Sequence, residues 1–110
     1  MAFDAELAGR IRAALSFVDG VTEQRMFGGI GFMVDGHLTA AASSRGGLML
    51  RIDPALASEL VDGRSVQPFR MRGRDLAGWV LVALDAVDDD ADLHGWIARA
   101  RAYVATLPPK

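Results

Sequence analysis

The stretch Arg25-Met26-Phe27-Gly28-Gly29-Ile30-Gly31-Phe32-Met33-Val34-Asp35-Gly36 decides the fold, because it carries an apolar run into the strongest hairpin signal of the chain. Asp35-Gly36 suits the two central positions of a type I′ turn, both of which require a positive φ. A turn of this type also fixes which residues of the two strands face each other. The predicted facing pairs are Val34 with His37, Met33 with Leu38, and Phe32 with Thr39.

The glycine pair Gly46-Gly47 predicts a second tight turn, followed by a further antiparallel strand. In that register Leu50 faces Ser43 and Ile52 faces Ala41. Because side chains alternate between the two faces of a sheet, the two registers together assign each residue to a face. The predicted core face holds Ile30, Phe32, Val34, Thr39, Ala41, Leu48, Leu50 and Ile52.

The opposite face of this predicted sheet is also apolar. An antiparallel sheet that is wet on one side should alternate between apolar and polar residues, and this one does not. We therefore expect this face to be covered by a second copy of the chain in a two-fold dimer, since large exposed apolar patches are rare in monomers. The alternative is that the short second helix covers it within the monomer. The face collects Met33, Leu38, Ala40, Ala42, Met49 and Arg51 around the bare backbone of Gly31, and the candidate dimer contacts are Met33, Leu38, Ala40 and Met49.

Apolar residues at helical spacing predict a first helix from about Asp4 to Val18 and a closing helix through Leu93 to Leu107. Asp4 is the expected N-cap, Phe3 the hydrophobic staple and Gly20 the stop. The strand from Trp79 to Leu84 is apolar throughout, so we expect it to be buried on both sides, as an inner strand or beneath a partner. Further predicted elements are a strand at Thr22 to Phe27, a bend or bulge at Gly28-Gly29, a short helix from Pro54 to about Val61 ended by Gly63, and a strand at Val66 to Arg72.

The fold class predicted from these elements is α+β, with a helix, a meander of four strands, a short helix, two strands and a closing helix. A chain of 110 residues with 51% hydrophobic residues is expected to form a single domain. The absence of cysteine excludes disulfides and thiolate chemistry and favours the cytoplasm. The sequence starts without a signal-peptide pattern and has no run of about 20 apolar residues for a membrane span. A net charge of −2 predicts no general attraction to nucleic acid.

Few residues form a pattern that could carry chemistry. The cluster Gly28 to Gly31 lacks the lysine and the spacing of a phosphate-binding loop, so we interpret it as a bend with close backbone packing. His37 and His94 have no second imidazole or thiolate at ligand spacing, and we expect both at the surface or in a cap. The serines lie in no nucleophile context. The sequence therefore predicts no catalytic residue, no metal site and no cofactor.

The arginines offer a candidate anion or partner patch at Arg25, Arg70 and Arg72. Arg70 and Arg72 are expected on one face of a strand at period two, with Arg64 and Arg74 nearby in sequence. The alternative is that these charges protect a sheet edge from aggregation or pair with the acidic run at Asp85 to Asp92. No aromatic residue interleaves them in a stacking pattern, so binding of single-stranded nucleic acid is not predicted.

The opening stretch resembles the first motif of the TfoX/Sxy N-terminal domain, a bacterial family tied to the regulation of competence. The segments Leu48 to Asp53, Gln67 to Phe69 and Asp92 to Leu107 resemble its next strand, a later strand and its closing helix. Full-length regulators carry a further C-terminal domain, which we do not expect here. The resemblance implies a non-enzymatic cytoplasmic module that binds a protein partner. The alternative is a ligand-binding domain or enzyme with a site at Gly28 to Gly31 and Arg25. The motif residues are Met26, Phe27, Gly28, Gly29, Gly31, Asp35 and Gly36.

Overall fold

The computed structural model describes residues 4–26 and 28–108. Within them the chain alternates helices and strands in the predicted order and forms one six-stranded antiparallel sheet, which confirms the α+β class. The elements are α1 (Ala5–Ala14), β1 (Val21–Met26), β2 (Gly29–Val34), β3 (His37–Ala42), β4 (Leu48–Arg51), α2 (Pro54–Leu60), β5 (Val66–Met71), β6 (Arg74–Val82), a short 3₁₀ helix (Leu84–Val87) and α3 (Asp90–Val104). The strand order in the sheet is β1-β2-β3-β4-β6-β5.

Helix α1 begins as predicted but ends earlier. The carboxylate of Asp4 accepts a hydrogen bond from the amide of Leu7 at 3.0 Å, which confirms the N-cap. After Ala14 the backbone tightens into i to i+3 hydrogen bonds, so the predicted end at Val18 is wrong. Val18 still packs against the core, and this explains why the apolar spacing continues beyond the helix. The predicted staple at Phe3 lies outside the described residues.

The hairpin of β2 and β3 has the predicted turn and a bulge that was not predicted. Asp35 and Gly36 adopt φ values of 51° and 84°, and the facing pairs nearest the turn are as expected. Phe32, however, faces Ala40 instead of Thr39, because Thr39 is an extra residue in β3. The hydroxyl of Thr39 is fully buried and donates to the carbonyl of His37 at 3.0 Å. The bulge turns Ala40 and Ala42 toward the core face and Ala41 away from it, so the predicted faces of these three alanines are wrong.

The connection from β3 to β4 is a loop of five residues, Ser43 to Gly47, and not a two-residue turn. The hydroxyl of Ser43 accepts the amide of Arg45, and the Ser43 amide donates to the carbonyl of Gly47, both at 3.1 Å. The predicted pairs Leu50–Ser43 and Ile52–Ala41 are therefore wrong. The observed pairs are Ala40 with Leu50, Ala41 with Met49, and Ala42 with Leu48.

The β5–β6 hairpin closes through the two-residue turn Arg72-Gly73, with φ values of 54° and 76°. Strand β6 consequently begins at Arg74, five residues before the predicted start, because Arg74 and Asp75 had the composition of a polar loop. It lies between β4 and β5, which confirms the predicted inner strand. Leu84 lies beyond the end of the strand and is 41% exposed.

All three α-helices pack on one side of the sheet, which we call the core face. Asp53 and Asp89 cap α2 and α3 through backbone amides at 2.8 Å. Most of the fully buried side chains of the main core come from α1, α3 and the central strands, and Leu15, Ile52 and Val87 add to them from the segments between these elements. They include Leu7, Ile11, Phe32, Leu48, Leu50, Val80, Val82 and Leu93. Among the described residues, no helix has the length and apolar character needed to cross a bilayer.

Candidate functional site

The side of the sheet that faces away from the helices, which we call the open face, carries a second apolar cluster. Ala41, Met49 and Phe69 are buried in it, and half-buried apolar side chains surround them. No helix residue belongs to this cluster. The sequence-based expectation of an apolar second face therefore holds, although its membership changes: Ala40 and Ala42 lie on the core face, and half-buried Met33 is not part of the cluster. The half-buried members are Leu38, Met71, Leu76, Trp79 and Leu81.

The tip of the β5–β6 hairpin lies over the open face. A small cavity of about 130 Å³ is lined by residues of β3, β4, β5 and β6 together. In a flat sheet β3 and β5 would be about 14 Å apart, three strand spacings, so one small cavity could not be lined by both. A bulge between Pro68 and Arg70, and a φ of 83° at Gly78 in β6, give the hairpin its bend. The cavity is lined by Leu38, Met49, Phe69, Met71, Leu76 and Trp79.

Arg45, from the β3–β4 loop, holds the hairpin tip against the sheet. Its guanidinium lies 4.5 Å from the centroid of the Phe69 ring and also donates a hydrogen bond to the backbone carbonyl of Arg70. Because Arg45 reaches edge strand β5 from a loop beside β4, the two contacts link elements that a flat sheet would separate. This arrangement explains why Phe69 is only 6% exposed although it belongs to an edge strand.

Arg51 lies at the opposite margin of the open face, at the end of β4. Its guanidinium carbon is 5.4 Å from the centroid of the Trp79 ring and 5.6 Å from that of the Tyr103 ring. Contact with two aromatic rings restricts the orientation of a guanidinium and leaves its N–H edge available to an acceptor. Arg51 is thus a positioned cation beside the apolar cluster.

A groove of about 430 Å³ adjoins the cavity and shares Met71, Leu76 and Trp79 with it. Arg72, Arg74 and Asp75 also line this groove. The β5–β6 hairpin contains one carboxylate, Asp75, which Arg70 already binds at 2.9 Å. The margin of the cavity on this side is therefore cationic. We call Arg70, Arg72 and Arg74 the hairpin arginines.

The predicted patch of Arg25, Arg70 and Arg72 is not one surface. Arg25 is exposed on β1 at one edge of the sheet, whereas Arg70 is on β5 at the other edge. The prediction that Arg70 and Arg72 share a strand face is also wrong, because the strand ends at Met71 and Arg72 occupies the turn. Arg72 belongs with Arg74 at the groove, and sequence reasoning missed Arg45 and Arg51 there. Their role depends on ring contacts across the fold, which no local pattern signals.

The surroundings of the glycine cluster, Gly28 to Gly31, support its interpretation as a bend with close backbone packing. Gly28 has a φ of 78° and directly precedes β2. A Cβ added to Gly29 would clash with the backbone carbonyl of Ala42, and one added to Gly31 would lie 2.7 Å from a methyl group of Leu38. Strand and side-chain atoms of the protein thus occupy the space beside Gly29 and Gly31. Phe27, which belongs to the same motif, lies outside the described residues.

His37 is buried, so its predicted surface location is wrong. Its Nε2 lies 2.6 Å from the backbone carbonyl of Pro108, and since a carbonyl only accepts, Nε2 carries the proton. The other ring nitrogen is buried without a hydrogen-bond partner. This contact ties the segment after α3 to the start of β3. His94 is exposed, as predicted, and lies one turn into α3 because the helix begins at Asp90.

Metal-ligand side chains do not cluster in residues 4–26 and 28–108: no three His, Asp or Glu residues lie close enough together to hold an ion. The two carboxylates whose pKa is lowered, those of Asp62 and Glu23, accept hydrogen bonds from neighbouring groups of the chain. Hydrogen bonds from the amide of Val66, then from that of Arg64, lower the pKa of Asp62. The guanidinium of Arg12 lowers the pKa of Glu23 through a bond of 2.6 Å. Neither group lies at the cavity or the groove.

Comparison with known proteins identifies the family of this chain. A family model described as the TfoX N-terminal domain matches residues 13–103, which is most of the chain. Searches of curated proteins and of solved structures gave no significant match.

Proposed function

Since this chain belongs to the TfoX N-terminal domain family, we propose that it is a non-enzymatic interaction module that contacts a protein partner through the open face. The proposal includes a regulatory role in the bacterial cytoplasm, as the link of the family with competence implies. The observation that carries it is the cavity of about 130 Å³, bounded by six apolar side chains that, among the residues the structure describes, belong to a cluster without helix residues.

The chemistry of the open face favours binding over catalysis. Apolar side chains and positioned arginines supply contact area and charge, but catalysis also needs a nucleophile or an acid–base pair in reach of a substrate. Aromatic residues, methionines and arginines are the types enriched at protein–protein interfaces. The open face combines all three, in Trp79 and Phe69, Met49 and Met71, and Arg51.

A ligand-binding site or enzyme centre at Gly28 to Gly31 and Arg25 is supported less well. Such a site needs space beside the bare backbone, and side chains or strands occupy that space at Gly29 and Gly31. It would also need Arg25 within a pocket, whereas Arg25 is exposed on an edge strand.

Self-association of two copies through the open face is the competing interpretation of the same surface, and we favour it less than a separate partner. It rests on the apolar cluster that Leu38 and Met49 help to form. If a second copy occupied the face, aspartate at half-buried Leu38 would release monomers, as sedimentation would show. Met49 is 6% exposed, so aspartate there would also destabilise the fold. A wild-type chain that sediments as a monomer at high micromolar concentration would contradict the dimer.

The test of partner binding compares two variants of matched design. The protein is immobilised and exposed to extract of its native cell, with and without nuclease. We expect Leu38→Asp to lose bound proteins that the wild type and Phe17→Asp retain, because Phe17 is 75% exposed and belongs to neither apolar cluster. Retention that is equal in all three proteins, or that nuclease abolishes, would contradict an interaction surface on the open face.

A further inference from the structure

We propose that the partner of the open face is a short acidic peptide segment, which inserts one apolar side chain into the cavity and sets carboxylates against the arginines at its margins. This inference rests on the proposed function and specifies the chemistry of the partner. The occupant is a segment of another protein and not a second copy of this chain.

The size and lining of the cavity define the apolar anchor. A volume of about 130 Å³ is close to the roughly 150 Å³ of a dry apolar cavity that accepts benzene. It therefore suits one side chain of the size of leucine, methionine or phenylalanine. Met49 and Met71 line it, and their flexible side chains can adapt to anchors of different shape. A nucleic acid has phosphates for the arginines, but its bases carry polar edge groups that this wholly apolar lining cannot hydrogen-bond.

The charges around the cavity define the rest of the segment. Arg51 lies at one margin, held by Trp79, while Arg72 and Arg74 line the groove at another. In the β5–β6 hairpin the single carboxylate, that of Asp75, is already bound by Arg70. Carboxylates that flank the anchor on both sides would complement this distribution through charge-assisted hydrogen bonds.

The same distribution makes a second copy a poor occupant. A two-fold interface joins the same patch on both subunits, so the margin at which Arg70, Arg72 and Arg74 outnumber the carboxylate of Asp75 would be set against a margin of the same net charge. The large apolar side chains of the open face are also buried or half-buried by one another. These side chains leave accessible a pocket for one anchoring side chain. A standard interface instead needs a broad surface of roughly 800 Å² per partner.

Methyl NMR tests the proposal directly. The full chain carries ¹³C-methyl methionine, assigned by single Met→Leu variants, and the probe is a capped pentapeptide with one leucine between two pairs of glutamates. We expect the signals of Met49 and Met71, which line the cavity, to shift more than those of Met26 and Met33, which do not line it. The effect should weaken with added salt. Peptides with glycine for leucine, or lysines for glutamates, should leave the signals unchanged.

Charge reversal supplies the matched variants. Arg51→Glu combined with Arg72→Glu is expected to weaken binding of the acidic peptide at least roughly tenfold, the effect of losing a single charge-assisted hydrogen bond. Arg64→Glu combined with Arg99→Glu makes the same change of net charge at exposed positions away from the cavity and groove, and should bind like the wild type.

The remaining outcomes separate this inference from the proposed function. If Leu38→Asp loses cell proteins but the acidic peptide moves neither methionine, the open face is an interaction surface and the acidic segment is wrong. Equal shifts with the lysine peptide would also overturn the proposal. So would a wild-type dimer that Leu38→Asp dissociates, because a second copy would then occupy the face.

Discussion

Phe69 is the residue that shows most directly whether the hairpin tip packs on the open face. It belongs to edge strand β5, yet it is 6% exposed, because its ring packs in the second cluster and lies 4.5 Å from the Arg45 guanidinium. We expect Phe69→Ala to lower the free energy of unfolding substantially. In an ordinary edge strand with one wet face the same change would cost little.

The expected magnitude follows from these contacts. Truncating a fully enclosed phenylalanine costs about 3 to 5 kcal/mol, including the cavity that is left. Phe69 adjoins an existing opening into which water can enter, so we expect the lower part of that range or slightly less. Adding about 0.5 to 1 kcal/mol for the lost guanidinium contact gives a total of about 3 kcal/mol. The midpoint of thermal unfolding should fall by at least about 10 °C.

Urea unfolding followed by tryptophan fluorescence measures this effect, because Trp79 lines the cavity next to Phe69. The matched control is Phe17→Ala. That ring is 75% exposed and its centroid lies 5.5 Å from the Arg101 guanidinium carbon, so its loss should cost no more than about 0.5 to 1 kcal/mol. A cost for Phe69→Ala below about 1 kcal/mol, or one equal to that of the control, would refute the packing of the hairpin tip on the open face.

Three further outcomes are expected. Gly29→Ala should destabilise by about 2 to 3 kcal/mol and Gly31→Ala by about 1, because the first meets a backbone carbonyl and the second a movable side chain; equal urea midpoints would contradict this. The Asp62 carboxylate, whose pKa the amides of Val66 and Arg64 lower, should stabilise the fold above the pKa of its unfolded form and lose that effect as pH falls through the folded value. Urea midpoints of Asp62→Ala and wild type should therefore converge in acid, and a constant gap would refute the assignment. A mobility-shift assay at low salt should show no DNA binding, and a salt-sensitive shift abolished by replacing two hairpin arginines with alanine would overturn this.

Local patterns predicted the parts of the fold that depend on neighbouring residues. The turn at Asp35-Gly36 and the cap at Asp4 each follow from one or two residues with special backbone or side-chain chemistry. The extra residue Thr39 has no such signal, since its bulge depends on how β2 and β3 pack together. The bulge and the longer β3–β4 loop each change the predicted pairing register by an odd number of residues, and each change alone would move side chains to the other face of the sheet. The two errors cancel for β4, whose Leu48 and Leu50 were assigned to the correct face.

The candidate site was predictable only in outline. The apolar character of Leu38 and Met49 pointed to a second buried face, but the hairpin that covers part of it is remote in sequence. Its bend depends on Gly78 and on the bulge after Pro68, and neither can be read from a strand pattern. The bond between His37 and Pro108 spans 71 positions and was missed for the same reason.

The sizes of the side chains on the open face explain why the hairpin tip can lie there. Gly31 of β2 and Ala41 of β3 are small, and a Cβ at Gly31 would already press on the Leu38 side chain. Leu38 and Met49 can therefore lie low on the sheet, while the larger Phe69 reaches them from the bent hairpin. Small residues under the tip and large ones within it enclose a cavity without filling it. Filling the cavity from within should stabilise the domain, and it should also block the anchoring side chain of the proposed partner.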